Sequence, residues 1–191
     1  MKIKFKIGFF TILLLLTTAI TMGKYFPAML CSVAIHEIGH IFMAKIRRID
    51  LRELSVGIFG ASLTTEHALF SYFDEVLLCL GGPLFNYASA LIWITLTKCP
   101  PSSFFVVSSL GLGTLNMLPI KGFDGGRIAT AILSFILSIE KANSIIKFLS
   151  FVFIFSLWCF SLYLLMKKGA SMTVFVFSVS MFVKIFIPDV L

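Results

Sequence analysis

Residues 25–45 read YFPAMLCSVAIHEIGHIFMAK and contain the pattern that decides the fold. The segment is apolar over about 20 residues, the length that a membrane-spanning helix requires. Within it, His36, Glu37 and His40 form a His-Glu-x-x-His pattern, which is a zinc-site signature when it lies on a helix. The two histidines share one helical face, so both can reach the same metal ion. Because ionisable groups at membrane depth are costly, their presence indicates a function.

The composition of the whole chain predicts a polytopic membrane protein. Of the 191 residues, 59% are hydrophobic and 13% are charged, whereas soluble domains carry about 25% charged residues. The net charge of +7 is not a nucleic-acid signal, because the cations flank apolar runs as membrane topology requires. We therefore expect the lipid bilayer to be a partner and expect no nucleic-acid partner.

Six apolar segments are predicted to cross the membrane, at 7–23, 25–45, 75–97, 104–120, 148–166 and 170–187. The first has the shape of a cleaved signal peptide, but the further spans and the lack of an Ala-x-Ala site favour a retained helix. Residues 53–66 are rich in β-formers and predict a short hairpin at the membrane interface. The apolar stretch 128–139 is short for a span and predicts an interfacial helix. The expected fold class is thus an all-α polytopic membrane protein with about six transmembrane helices and a membrane-associated β-hairpin after the second.

The positions of Lys and Arg predict the orientation of these segments. With the N-terminus in the cytosol, twelve of the sixteen cations lie on the cytosolic side and four lie on the opposite side. This asymmetry is the positive-inside bias of integral membrane proteins. It places His40, near the C-terminal end of the second span, toward the cytosol.

Asp124 is the candidate for a third metal ligand. A catalytic zinc ion takes three protein ligands and keeps one position open for water. Asp124 follows the fourth span, 124 − 36 = 88 residues after His36, where Pro119 and nearby glycines break the helix. An alternative interpretation of Asp124 is a turn residue that ends a helix before a glycine. An alternative interpretation of the two histidines is a helical pair whose nitrogens form hydrogen bonds with backbone or neighbouring groups. Glu37 is the candidate general base for the attacking water, whose pKa a zinc ion lowers toward about 7.

Three further polar residues each have two possible interpretations. Asn86 and Asn116 lie in apolar spans, where an amide can hydrogen-bond a substrate backbone or a neighbouring helix. His67 can serve as a spare metal ligand, but its place outside the predicted spans favours a solvated loop histidine.

With these motifs in hand, the chain resembles the site-2 protease family of intramembrane zinc metalloproteases from about residue 25 to residue 140. The resemblance rests on His-Glu-x-x-His at 36–40, on Gly-Pro-x-x-Asn at 82–86 and on Leu-Pro-x-x-x-x-Asp-Gly-Gly-Arg at 118–127. It implies one zinc ion per chain, held by His36, His40 and Asp124, with Glu37 as the general base. It also implies that residues 53–66 pair with an extended substrate and that Asn86 and Asn116 position that substrate.

The chain is most similar to the bacterial branch that contains the sporulation protease maturing a sigma factor. The resemblance implies an integral, multi-pass protein of the bacterial cytoplasmic membrane with a cytosolic N-terminus. We expect a single membrane-embedded metalloprotease domain over residues 1–191, with a core at 25–140, a C-terminal helix pair at 148–187 and no PDZ or CBS domain.

The expected function is that of an intramembrane zinc endopeptidase that cuts a membrane-tethered or membrane-spanning protein near the cytosolic face. Its expected partners are a membrane-protein substrate, such as a sigma factor or its regulator, and regulatory membrane proteins; the sequence predicts no oligomeric state. One alternative is a non-catalytic scaffold or transporter that holds a metal, although such a site does not need Glu37. Another is a zinc protease for prenylated peptides, which a third ligand outside the Asp124 region would indicate.

Overall fold

The structure is a computed structural model that describes residues 9–49, 51–57, 60–65, 71–97, 103–168 and 172–186. Within these ranges, the helices are α1 Phe9–Met22, α2 Phe26–Ile46, α3 Tyr72–Thr97, α4 Phe104–Asn116, α5 Asp124–Ser134, α6 Ile139–Lys168 and α7 Met172–Phe186. A 3-10 turn at Gly23–Tyr25 joins α1 to α2. Strands β1 Leu51–Gly57 and β2 Gly60–Thr65 pair in antiparallel fashion between α2 and α3.

The described part of the chain is nearly all helical, as the sequence predicts. Three helical segments are long and apolar enough to cross a membrane by length and composition: Leu16–Ile46, Tyr72–Thr97 and Ile139–Met166. Helix α4 and part of α7 are apolar but shorter. The total of six spans stays a prediction, as does the association of the two strands with a membrane. Residues 1–8 and His67 lie outside the described residues.

Two helix boundaries differ from those expected. Helix α4 ends at Asn116 rather than near residue 120, because Pro119 and the glycine at 122 interrupt helical geometry. Helix α6 begins at Ile139 rather than at 148. The predicted start was too late because the first turns of α6 contain charged residues and were not counted as part of an apolar segment. An acid such as Glu140 is nevertheless favourable at a helix N-terminus.

Helices α2 and α3 approach each other through glycines. A β-carbon at Gly39 would overlap the carbonyl of Gly81, and one at Gly81 would lie 2.5 Å from the Gly39 oxygen and 2.8 Å from Cγ of Met43. Small residues permit such an approach between apolar helices. On another side of α2, the hydroxyls of Ser32 and Ser109 lie 3.0 Å apart and join it to α4. Helix α2 is therefore held on two sides.

The connection between α4 and α5, residues 117–123, is anchored to the protein by two buried side chains, although other residues of it are exposed. Its Gly122 has φ of +97°, a conformation that favours glycine. The backbone N–H of Lys121 donates to the hydroxyl of Ser150 on α6 at 2.7 Å. Two apolar side chains of the connection join a buried cluster with α6 and α7, formed by Ile120, Phe123, Ile154, Met181 and Ile185. These contacts with α6 and α7 hold the irregular connection in place.

We expect Gly39→Ala to destabilise the fold, because the added methyl group would overlap the backbone of α3. Overpacking of this kind costs about 1–3 kcal/mol. The thermal unfolding midpoint of the detergent-solubilised protein measures the effect. Gly111→Ala is the matched control, since a β-carbon there meets no heavy atom within 4 Å, and its midpoint should stay the same or rise slightly. Equal midpoints for the two variants would contradict the close contact.

Candidate metal centre

The two histidines of α2 and the first residue of α5 meet in one buried group. His36 is 2% exposed, His40 is 4% exposed and Asp124 is 8% exposed. Oδ2 of Asp124 lies 3.0 Å from Nε2 of His36 and 3.3 Å from Nε2 of His40. The two Nε2 atoms lie 3.2 Å apart. The three residues predicted as ligands are thus brought together, and they form a group that can hold one metal ion.

The spacing of the three donor atoms fits a small tetrahedral ion. Zinc binds histidine nitrogen and carboxylate oxygen at about 2.0–2.1 Å, so that the edge of its ligand tetrahedron is about 3.3–3.4 Å. The three donor–donor distances of 3.0, 3.2 and 3.3 Å are close to this edge. Two nitrogens and one oxygen are also a donor set that zinc accepts, with a fourth position left for water.

Gly82 of α3 leaves space beside the two imidazole rings. A β-carbon at this position would lie 2.5 Å from Nε2 of His40, and 2.6 and 2.7 Å from Cε1 and Nε2 of His36. Any larger residue would therefore occupy the volume in front of the donor nitrogens. The glycine keeps that volume open, which is a second observation that fits a metal ion between these rings.

The ring of His40 is oriented by a backbone carbonyl. Its Nδ1 lies 2.8 Å from the oxygen of Leu78, to which an Nδ1–H donates. With the proton on Nδ1, the lone pair of Nε2 faces Asp124 and is free to bind a metal. A hydrogen bond of this kind fixes the tautomer in metal sites and raises the basicity of the ligand nitrogen.

Asp124 is ionised and held at the start of its helix. Burial acts to raise the pKa of its carboxyl, but the interactions with the adjacent imidazoles of His36 and His40 outweigh burial and hold that pKa below its ordinary value. The N-terminus of α5 also favours a negative charge. Three residues on, Nε of Arg127 donates to Oε1 of Glu75 in the first turn of α3 at 2.8 Å, and this pair ties α5 to α3.

The other predicted residues occupy different places. Glu37 is partly buried and follows His36 on α2. Asn86 lies against the group, with its Nδ2 3.2 Å from Nδ1 of His36. Asn116 is the last residue of α4, and its Nδ2 donates to the Leu112 carbonyl of the same helix at 3.1 Å. The roles of these three residues in base catalysis and substrate binding stay predictions.

Sequence reasoning missed three contributors to the centre. The Leu78 carbonyl carries no side-chain signal, so only the packing of α2 on α3 reveals it. Gly82 belongs to the Gly-Pro-x-x-Asn motif, but the motif did not indicate that this glycine faces the two imidazoles. Arg127 belonged to the recognised motif, but its partner Glu75 lies 52 residues earlier and could not be chosen among the acids of the chain.

Comparison with known proteins identifies one protein of similar structure and two of similar sequence. No protein-family model matches the chain. The structure is similar to that of a site-2 protease from Methanocaldococcus jannaschii, with a TM-score of 0.75 and 20% identity, covering 97% of this chain and 90% of that one. This chain has the site-2 protease fold.

Two sequence relatives agree with this fold. Stage IV sporulation protein FB of Bacillus subtilis (strain 168) is 26% identical over 168 residues, which cover 83% of this chain and 58% of the relative. A zinc metalloprotease of Methanocaldococcus jannaschii is 25% identical over 134 residues, which cover 63% of this chain and 37% of the relative. The chain therefore spans less than two thirds of the length of either. The resemblance to the site-2 proteases that the motifs predicted is confirmed.

We expect Arg127→Gln to weaken zinc binding by up to about tenfold. This is the lower end of the range observed when a metal ligand loses a supporting hydrogen-bond partner. The physical reason is that α5, which begins with Asp124, loses its tie to α3. Zinc affinity, measured by competition with a chelator in detergent, checks this expectation.

Arg47→Gln is the matched control for that change. Arg47 forms a comparable pair with Asp74, at 2.6 Å and with partly exposed side chains, but it lies at the end of α2 and not on α5. Its loss should leave zinc affinity unchanged. If both variants lost zinc equally, a general effect of surface charge would replace the role assigned to Arg127.

Proposed function

We propose that this chain is a zinc endopeptidase that cleaves membrane-spanning or membrane-tethered proteins. The observation that carries the proposal is the buried group of His36, His40 and Asp124, with spacing that suits zinc. Its two histidines lie in a helical segment long and apolar enough to cross a membrane. A relative named as a zinc metalloprotease and the site-2 protease fold support it.

In this proposal His36, His40 and Asp124 hold the zinc ion. When bound, zinc acts as a Lewis acid that polarises a peptide carbonyl and makes a water molecule more acidic. Glu37 takes a proton from the attacking water and returns it to the leaving amine, as general acid–base catalysis requires. Its position next to His36 in α2 keeps its carboxylate near the group.

The donor set favours a catalytic role over a structural one. Structural zinc sites are closed by four protein ligands, whereas catalytic sites use three and leave one position for water or substrate. Within the described ranges, the group holds three donors. This arrangement weighs against the scaffold or transporter alternative, and Asp124 as third ligand weighs against the prenylated-peptide alternative.

The proposal also includes the location of the protein and its substrate. Lys45 and Arg47 at the end of α2 agree with the positive-inside bias, so cleavage takes place near the cytosolic face, with the N-terminus in the cytosol. The bacterial cytoplasmic membrane is the proposed location and a sigma factor or its regulator is the proposed substrate, as the motif resemblance to the sporulation branch of site-2 proteases implies.

A helical substrate has to unwind before it is cut, because helical peptide groups are already hydrogen-bonded. Strand addition to β1 or β2 is a physical route by which an extended segment can be held. The whole forms one membrane-embedded domain with about six spans, a core at 25–140 and a helix pair at 148–187. Asn116 is retained as a candidate for contact with substrate.

We expect Glu37→Gln to retain zinc and to abolish cleavage, since the amide cannot accept a proton from water. General acid–base catalysis contributes about 10²- to 10⁴-fold to a rate, so product should fall below detection in a co-expression assay. The assay pairs each form of the chain with a candidate membrane-tethered transcription factor and detects the cut product. Cleavage by Glu37→Gln at the normal rate would rule out its role as base.

We expect Asp124→Asn to lose zinc, because a neutral amide is a much weaker ligand than a carboxylate. Zinc affinity should fall by more than the roughly 10- to 100-fold that follows removal of a ligand's hydrogen-bond partner. Asparagine is also accepted at a helix start, so α5 should persist. Asp74→Asn is the control, as it alters an acid that pairs with Arg47 away from the group. An unchanged zinc content in Asp124→Asn would remove Asp124 from the ligand set.

A further inference from the structure

Asn86 carries a buried polar atom that lacks a partner within the described part of the chain. The residue has no exposed surface, and none of the described residues forms a hydrogen bond with its Oδ1. Its other polar atom, Nδ2, lies 3.2 Å from Nδ1 of His36. A buried acceptor left unsatisfied is unfavourable, because it has lost its hydrogen bonds to water. The amide therefore lies beside a metal-site histidine in an arrangement that pairs only one of its two polar atoms.

The tautomer of His36 decides which amide atom should face the ring. When Nε2 carries the proton, it donates to Oδ2 of Asp124 at 3.0 Å, and Nδ1 accepts from Nδ2 of Asn86. When Nε2 offers its lone pair to a metal, Nδ1 carries the proton and needs an acceptor. Rotating the Asn86 amide by half a turn exchanges Nδ2 and Oδ1 and supplies that acceptor without moving any other atom.

The register of α3 against α2 supports this function for Asn86. Leu78, Gly82 and Asn86 recur every four residues and so lie along one face of α3. Leu78 accepts from His40, Gly82 leaves room for both rings, and Asn86 contacts His36. The same face thus provides one hydrogen-bond partner for each histidine, a carbonyl for one and an amide for the other.

We propose that Asn86 is a positioning residue for the metal centre, with its Oδ1 accepting the Nδ1–H of His36 when Nε2 of that ring binds the ion. This contact directs the Nε2 lone pair toward the ion. An amide suits this site because it both donates and accepts. The inference rests on the metal site of the proposed function and replaces substrate binding as the role of Asn86.

Zinc affinity measured by chelator competition on the detergent-solubilised full chain tests this inference. Asn86→Leu removes donor and acceptor at similar size and should weaken zinc binding by about 10- to 100-fold. Asn86→Asp retains an acceptor for Nδ1–H and should bind zinc at least as tightly as the unaltered chain. The unfolding midpoint of each metal-free variant shows whether it is folded.

Asn116→Leu is the matched control, because it removes a buried amide that bonds within its own helix. Its zinc affinity should equal that of the unaltered chain. Unchanged zinc affinity in Asn86→Leu would overturn the inference, even if the KM for substrate rose. Equal losses in Asn86→Leu and Asn86→Asp would also overturn it. Failure of the unaltered chain to bind zinc would instead overturn the proposed function, and with it the basis of this inference.

Discussion

The close contact between α2 and α3 is the constraint on which the rest of the structure depends. Gly39 and Gly81 bring the two backbones together, and only at this separation can a carbonyl of α3 reach an imidazole of α2. Apolar helices in lipid gain little from hydrophobic attraction to each other, so they rely on close packing and on hydrogen bonds between helices. Here the same contact that joins the helices also orients the histidines.

The third side of the centre comes from an irregular connection. Helix α4 ends early, and residues 117–123 turn back under cover of α6 and α7, where Ile120 and Phe123 are buried. This cover allows α5 to begin inside the protein, and its first residue places a carboxylate against two imidazoles. Helices α6 and α7 contribute no residue to the group within the described residues, but they support the segment that carries Asp124.

The polar groups of the centre satisfy one another in an otherwise apolar protein. Oδ2 of Asp124 lies within 3.3 Å of Nε2 of both histidines, and Nδ1–H of His40 donates to a backbone carbonyl. The exception is the oxygen of Asn86. A buried group of this kind is costly unless its members are paired. The position of this oxygen is informative, because it lies beside His36. Binding of a metal by Nε2 of that histidine leaves an Nδ1–H that needs an acceptor.

The sequence by itself determined the class of fold and the three residues that meet. Apolar runs predicted the helices, and the spacing of His36 and His40 fixed their shared face, because both signals are local. Asp124 was identified because acids among apolar segments are few and a metal needs a third ligand. Only the tertiary structure decided that Leu78 and Asn86 face the two rings, that Gly82 leaves room between them and that Glu75 anchors Arg127. These relations depend on the register of one helix against another, and no local pattern of residues encodes a register between segments far apart in the chain.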